Sequence, residues 1–132
     1  ACAVALANIE VFEDEDILEN VRTHAPAFRA MLESLRDLPI VGDVRGDGYF
    51  CAIELVRDKE TKQTFSSAEA ESLLRGFLSG EFFRRGLICR SDDRGDPVVQ
   101  LSPPLISGPE EFAEIHSVLR PVLEAASDRM TG

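Results

Sequence analysis

The 132-residue chain has little positive charge. It carries 14 basic against 24 acidic residues, which gives a formal net charge of −10. Proteins hold the nucleic-acid backbone through clustered lysines and arginines that displace counterions, and the sequence contains no such cluster. The composition therefore argues against a nucleic-acid partner.

Histidine and cysteine are also scarce. His24 and His116 lie far apart, without acidic or thiol neighbours at ligand spacing, so no metal site is expected. Cys2, Cys51 and Cys89 each lie within an apolar segment. They are predicted to be buried, reduced thiols of a cytoplasmic protein.

Long hydrophobic runs are missing. The longest uncharged apolar run, "ACAVALANI" at the start, is too short to cross a bilayer and lacks the basic flank of a signal peptide, so no membrane partner is expected. The length suits one domain over residues 1–132. The chain begins without Met inside a predicted helix, which suggests a fragment of a longer protein.

Apolar residues at helical spacing predict two helices in the first third of the chain. The first covers residues 1–12, and the second covers 17–35. Pro26 interrupts the second helix, where it removes one backbone hydrogen bond. The apolar stripe keeps its phase across Pro26, so the sequence predicts a kink within one helix.

Two further helices are predicted from capping boxes. Ser66 and Glu69 fit the S-x-x-E pattern and open a helix with an apolar face, and Ser107 and Glu110 open the last helix, bent at Pro121. The apolar face of the third helix consists of Leu73, Leu74, Phe77, Leu78 and Phe82.

That third helix contains two glycines, Gly76 and Gly80, which weaken it by roughly 1 kcal/mol each relative to alanine. Their usual justification is the close approach of another backbone, which the sequence does not identify.

Four short strands are predicted between the helices, two of them joined by a tight bend at Gly46 and Gly48. Their expected bounds are 43–46, 49–56, Leu87–Arg90 and Val98–Leu101. Because helices and strands interleave, the predicted fold is α/β (α+β): a small, roughly four-stranded sheet covered by helices on one side.

The glycine-rich turn "RGDG" at 45–48 has two interpretations. Such turns cradle phosphate when they lead into a helix. This one leads into a strand, and Asp47 would repel an anion. A plain hairpin turn is the favoured interpretation. No Ser–His–Asp arrangement is supported either, so no catalytic residue is assigned.

Arg90 closes an apolar strand ahead of the loop "SDDRGDP". It could be a solvated strand end that pairs with Asp92, Asp93 or Asp96. It could also be a bidentate carboxylate clamp, for which a planar guanidinium is better suited than lysine. Spacing alone leaves both alternatives open.

Four segments in order resemble the carboxy-terminal small domain of class III aminotransferases, which are pyridoxal-phosphate enzymes of fold type I and include the ω-aminotransferases. The segments are "ACAVALANIEVF", "VRGDGYFCAIELV", "GLICR" and "GDPVVQLSPPLIS". The resemblance covers essentially the whole chain. It implies that Arg90, at the matching strand end, binds the carboxylate of a keto-acid or amino-acid substrate, with "SDDRGDP" as a flexible rim.

The resemblance also implies a specificity. Ornithine-type members carry an arginine close to the position of Gln100. Its absence favours transfer of an amino group from an amine or ω-amino acid to a keto acid such as pyruvate. The parent protein is expected to be a homodimer.

The cofactor implied is pyridoxal 5′-phosphate, whose lysine, phosphate-binding turn and ring-contacting Asp lie in the family's large domain, upstream of residue 1. Lys59 and Lys62, the two lysines here, both lie in a polar turn. No residue of this chain is therefore expected to bind the cofactor or to be catalytic by itself. The alternatives are another class III enzyme, a mutase or decarboxylase, and a standalone binding or dimerisation module.

Overall fold

The computed structural model describes residues 2–92 and 97–131, with only the backbone of Asp92 and Thr131. A 3₁₀ turn, Ser34–Asp37, follows the second helix, and a π-helical turn, Leu74–Leu78, joins the third helix to the fourth. The helices are α1 Cys2–Asp14, α2 Ile17–Glu33, α3 Ser67–Leu73, α4 Ser79–Arg84 and α5 Pro109–Thr131. The strands are β1 Val41–Asp47, β2 Phe50–Leu55, β3 Arg90–Asp92 and β4 Val98–Leu101.

The four strands form one antiparallel sheet in the order β1-β2-β4-β3. The predicted α+β fold with a four-stranded sheet is confirmed. Residues pointing to one face of the central strands, among them Ile53 and Val99, are buried and join the core formed with α2, α3 and α5. One side of the sheet is thus covered by helices.

Three aromatic rings stabilise the contact between the β1–β2 hairpin, α2 and α5. The ring centroids of Phe28, Tyr49 and Phe112 are 5.0 to 5.7 Å apart. All three side chains are buried, so the hairpin turn is fixed against the helical layer.

The "RGDG" segment is the hairpin turn that the sequence favoured. Asp47 pairs with Phe50, and Gly48 and Tyr49 form the two-residue connection. Gly46 has a φ of +130°, and a Cβ there would lie 2.1 Å from the carbonyl oxygen of Phe50. Glycine is required at this position because any side chain would collide with the paired strand.

The third strand begins later than the sequence predicted. The predicted bounds Leu87–Arg90 are wrong, because β3 starts at Arg90. The N–H of Leu87 donates to Phe82 O (2.9 Å), and Gly86, with φ +84°, donates to Phe83 O (3.0 Å). These two bonds are a Schellman motif that ends α4, so residues 86 and 87 belong to the helix end.

One capping box is confirmed and the other is wrong. The Ser66 hydroxyl accepts from the Glu69 N–H, and the Glu69 side chain accepts from the Ser66 N–H. The last helix begins with Pro109, and Glu111 accepts from the Gly108 N–H at 2.7 Å. Proline fits the first helical position because it lacks an N–H, which moves the cap one residue beyond the predicted Ser107–Glu110 pair.

The glycines of the third helical segment are not explained by a close backbone. Apart from the adjacent residues and the backbone of the helix itself, no heavy atom of the described residues lies within 4 Å of a Cβ placed on Gly80, and the nearest to one on Gly76 is Ser72 Oγ at 3.9 Å. Pro26 and Pro121 both lie inside continuous helices, so neither proline breaks its helix.

Candidate functional site

Arg90 belongs to a row of four side chains that crosses the whole sheet. Arg90 is opposite Gln100, Gln100 is opposite Ala52, and Ala52 is opposite Arg45. Directly opposed residues of antiparallel strands point to the same face, and successive residues alternate. The neighbouring residues Val44, Ile53 and Val99 face the core, so the row lies on the outer face of the sheet.

The position of Arg90 suits a side chain that meets a ligand from outside the domain. Arg90 is exposed and is the first residue of the edge strand β3. Two of the predicted acidic partners, Asp93 and Asp96, lie outside the described residues, as does the side chain of Asp92. Both interpretations of Arg90 therefore remain predictions.

The thiol beside Arg90 faces the opposite direction. Cys89 is half-buried against the core, and burial raises the pKa of its thiol to about 12. Burial also raises the pKa of the Cys51 thiol. The prediction that all three cysteines are buried is confirmed for Cys51 and wrong for Cys2, which is exposed on α1, while Cys89 is only half-buried. All three are free thiols.

Arg45, in the same row, forms an ion pair with Glu54. Arg45 Nη2 lies 2.7 Å from Glu54 Oε2, and Glu54 lies on the same outer face, opposite Val98. Asp43 is opposite Glu54 and lies 3.1 Å from Arg36. The part of the outer face formed by β1 and β2 therefore holds charges that neutralise one another.

A groove of about 570 Å³ lies between α2 and the β1–β2 hairpin. Its lining includes Arg29 and Asp47. Arg29 donates to the carbonyl oxygens of Val44 (2.5 Å) and Gly46 (3.1 Å) and pairs with Glu33 at 2.7 Å. Because the guanidinium is committed to protein groups and the groove contains a carboxylate, this turn is unsuited to phosphate.

The segment after β4 is held by two side chains that the sequence gave little reason to select. The Tyr49 hydroxyl donates to Ser107 O at 2.8 Å, and the Asn20 amide donates to Leu105 O (2.8 Å) and Ser107 O (3.1 Å). The one available signal is that a buried tyrosine hydroxyl needs a partner. The "SPPL" segment is thereby fixed to α2 and the hairpin.

A second cleft, of about 490 Å³, lies between residues 85–88 and the "SPPL" segment. Its lining is mixed, with Ile88 and Pro103 beside Glu111 and Glu114. Hydrogen bonding to the Gly108 N–H lowers the pKa of Glu111. This carboxylate therefore serves the start of α5 and does not offer a separate reactive group.

The two lysines do not fit covalent attachment to pyridoxal phosphate. Lys59 Nζ donates to the carbonyl oxygens of Arg36 and Leu38 (3.0 Å for the latter), where it caps the end of the 3₁₀ turn. Lys62 is exposed in a turn with φ +57°. A lysine that bonds covalently to the cofactor needs its amine directed into the cofactor site, whereas the Lys59 amine is held by two carbonyl oxygens and Lys62 is exposed.

Within residues 2–92 and 97–131, no three His, Cys, Asp or Glu side chains are arranged to hold a metal ion. No helix in that same part of the chain is long and apolar enough to cross a membrane.

Comparison with known families gives one match over most of the chain. The family model described as "Aminotransferase class-III" matches residues 1–123. Among curated proteins, a probable aminotransferase of Mycobacterium tuberculosis is 57% identical over 123 residues, which cover 93% of this chain and 26% of that protein. The putrescine–pyruvate aminotransferase of Pseudomonas aeruginosa is 37% identical over 125 residues, which cover 94% of this chain and 26% of that protein.

Solved structures agree with the sequence comparison. The omega transaminase from Pseudomonas jessenii, in complex with PMP, superposes with a TM-score of 0.83 at 30% identity over 98% of this chain and 27% of that chain. The present chain thus spans about a quarter of the length of the proteins that it matches.

Proposed function

This chain belongs to the class-III aminotransferases, and on that premise we propose that it is the carboxy-terminal small domain of a longer, ω-aminotransferase-like enzyme. The observation that carries the proposal is the family match over residues 1–123 combined with coverage of only about a quarter of each relative. The enzyme would transfer an amino group from an amine or ω-amino acid to a keto acid such as pyruvate.

Pyridoxal 5′-phosphate is the cofactor of the proposed enzyme, in which it would supply the carbonyl group that accepts and releases the amino group. Since Lys59 and Lys62 do not fit its attachment, the lysine would come from the part of the enzyme outside this chain. The contribution of this domain is to bind and orient the substrate.

Arg90 is the residue that we assign to this binding. A guanidinium forms two parallel hydrogen bonds with a carboxylate, which fixes both the position and the orientation of an acid. The exposed edge position and the outer-face orientation of Arg90 support this assignment.

The first helix supports the proposal that more protein surrounds this domain. All thirteen residues of α1 are described, and none of them is buried. Several are large and apolar, and the exposed fractions of Val4, Leu6 and Ile9 are 74%, 62% and 53%. A helix that is apolar on all sides is ordinarily buried. We therefore place α1 against the remainder of the enzyme, which we expect to be a cytoplasmic homodimer.

The test is a product assay on the full-length protein with pyridoxal phosphate, putrescine and pyruvate. We expect stoichiometric formation of alanine. Release of carbon dioxide, or isomerisation of the amino compound without alanine, would instead identify a decarboxylase or a mutase. A protein that binds small acids but turns over none of these substrates would support the binding-module alternative.

A further inference from the structure

A groove of about 670 Å³ lies between the end of α1 and the start of α2. Its apolar lining comes from both helices, with Ile9 and Phe12 three residues apart on one face of α1 and Leu18 on α2. The exposed fractions of Ile9 and Leu18 are 53% and 56%. Large apolar side chains that line one concave surface and face water are typical of an interaction site.

The same groove has an acidic rim. Glu13, Asp16 and Glu19 line it together with Arg22. Arg22 Nη1 lies 3.7 Å from Glu19 Oε2, and this pair is weak because both side chains are largely exposed. Neither Glu13 nor Asp16 forms an ion pair with any residue that the structure describes. The rim therefore carries more negative than positive charge.

The rim restricts the chemistry of whatever fills the groove. A purely apolar segment would cover the carboxylates without giving them a partner, and removing an unpaired carboxylate from water is strongly unfavourable. Lysine or arginine beside the apolar side chains would pair with the carboxylates. Their methylene groups would also cover apolar surface. The groove thus fits a segment that is both apolar and basic.

A second copy of this domain is poorly suited to supply that segment. Most of its described arginines form ion pairs with carboxylates of the same domain. Phe83 is 71% exposed beside Arg84 and Arg85, but both of these arginines pair with Glu81. A second copy would have to break its own contacts to fill the groove.

The remainder of the enzyme is the better source of the segment. Half of the groove is formed by α1, whose exposed apolar side chains already place it against that remainder in the proposed function. The groove is therefore continuous with a surface that other parts of the enzyme cover.

We propose that the groove between α1 and α2 binds a segment of the same polypeptide, outside residues 1–132, in which apolar side chains are flanked by lysine or arginine. The proposal rests on the proposed function, in which this chain is one domain of a longer enzyme. It adds the surface that is bound and the charge of the segment that binds it.

The first test measures whether the groove is covered in the full-length enzyme. Leu18→Cys places a small apolar thiol in the groove, and Thr64→Cys places one at an exposed position of the polar turn after β2. The readout is the rate of alkylation by iodoacetamide in urea divided by the rate in the native enzyme, from peptide mass spectrometry. We expect a ratio of at least about 10 for Leu18→Cys and close to one for Thr64→Cys.

The second test measures the sign of the charge that the groove receives. Glu13→Gln/Glu19→Gln, added to Leu18→Cys, removes two rim carboxylates and keeps the size of their side chains. A basic segment would lose its partners, so the ratio should fall about threefold or more. The matched control, Glu110→Gln/Glu114→Gln, removes two exposed carboxylates from α5 and should leave the ratio unchanged.

Three results would overturn the proposal. A ratio near one for Leu18→Cys would show an uncovered groove. A ratio that rises or stays the same in Glu13→Gln/Glu19→Gln would show that the segment is not basic, since an apolar segment gains when the carboxylates are removed. Protection that is lost when the enzyme is diluted to monomers, as measured by mass photometry, would assign the segment to a second subunit.

The labelling requires no turnover, so its failure is distinguishable from failure of the proposed function. Alanine formation by an enzyme with an unprotected Leu18→Cys would contradict this inference alone. Protection of Leu18→Cys without alanine formation would contradict the proposed function alone.

Discussion

Arg90 and Arg45 lie in one row on the outer face of the sheet, and Arg90 is the one that we propose binds a substrate carboxylate. Arg45 lies beside a carboxylate that cancels its charge locally, and Arg90 begins an edge strand at the rim of the sheet. The proposal that Arg90 binds a carboxylate is supported by its exposed position at the start of this edge strand.

The thiols give a direct test of the local environments. In the 132-residue chain, iodoacetamide at about pH 8 should alkylate Cys2 at least about 100-fold faster than Cys89, because the thiolate is the nucleophile and burial holds the pKa of Cys89 near 12. Cys51, buried and with a raised pKa, should also react slowly. Peptide mass spectrometry measures the three rates.

The control for the labelling is the same chain in urea, where all three cysteines should react at similar rates. Equal rates for Cys2 and Cys89 in the folded chain would contradict the placement of Cys89 against the core.

The sequence predicts a role for a single residue only where its immediate neighbours in the chain indicate that role. Arg90 stands out because a charge ends an apolar run, and Ser66 because its capping partner is three residues away. The ion pair between Glu54 and Arg45 could not be predicted, because it depends on the strand register that places the two residues side by side. Strand register joins residues distant in sequence, and no local pattern specifies it here.

The ends of the helices and strands follow from a few backbone requirements. Gly86 ends α4 with a Schellman motif, and Pro109 begins α5. The sequence predicted β4 with the correct bounds, but it misplaced the start of β3 and the cap of α5. Both errors arise where two local signals lie within two residues of each other. Before β3, an apolar run competes with the helix-ending Gly86, and before α5, a serine cap competes with Pro109.

The two classes of glycine should respond oppositely to alanine. Gly80→Ala should raise the free energy of unfolding by about 0.5–1 kcal/mol, because Gly80 lies inside α4 with space for a methyl group. Gly46→Ala should lower it by more than about 2 kcal/mol, because its φ is +130° and the methyl group would collide with Phe50 O. Urea denaturation followed by circular dichroism measures both changes.

A destabilised Gly80→Ala chain would contradict this account of α4. It would mean that another backbone does approach Gly80 in the folded chain, as the sequence alone suggested.

The molecule as a whole combines a complete core with an exposed apolar helix. The core joins the sheet to α2, α3 and α5, and α1 contributes no buried residue. The sequence predicted this fold well, because the spacing of apolar residues in helices and strands identifies the side chains that form the core. It predicted the burial of Cys2 wrongly, because an apolar helix gives no sign of whether its partner lies within the same chain.

The proposed role of the whole domain is to bring a carboxylate-binding arginine to a reaction centre built elsewhere. The measurement that tests this most directly is the steady-state kinetics of the full-length enzyme carrying Arg90→Ala, with Arg90→Lys as the conservative control. We predict that KM for pyruvate rises about tenfold or more, that lysine restores part of the loss as a point charge, and that kcat/KM for a simple amine donor changes little. An equal loss for pyruvate and for the amine would contradict the account.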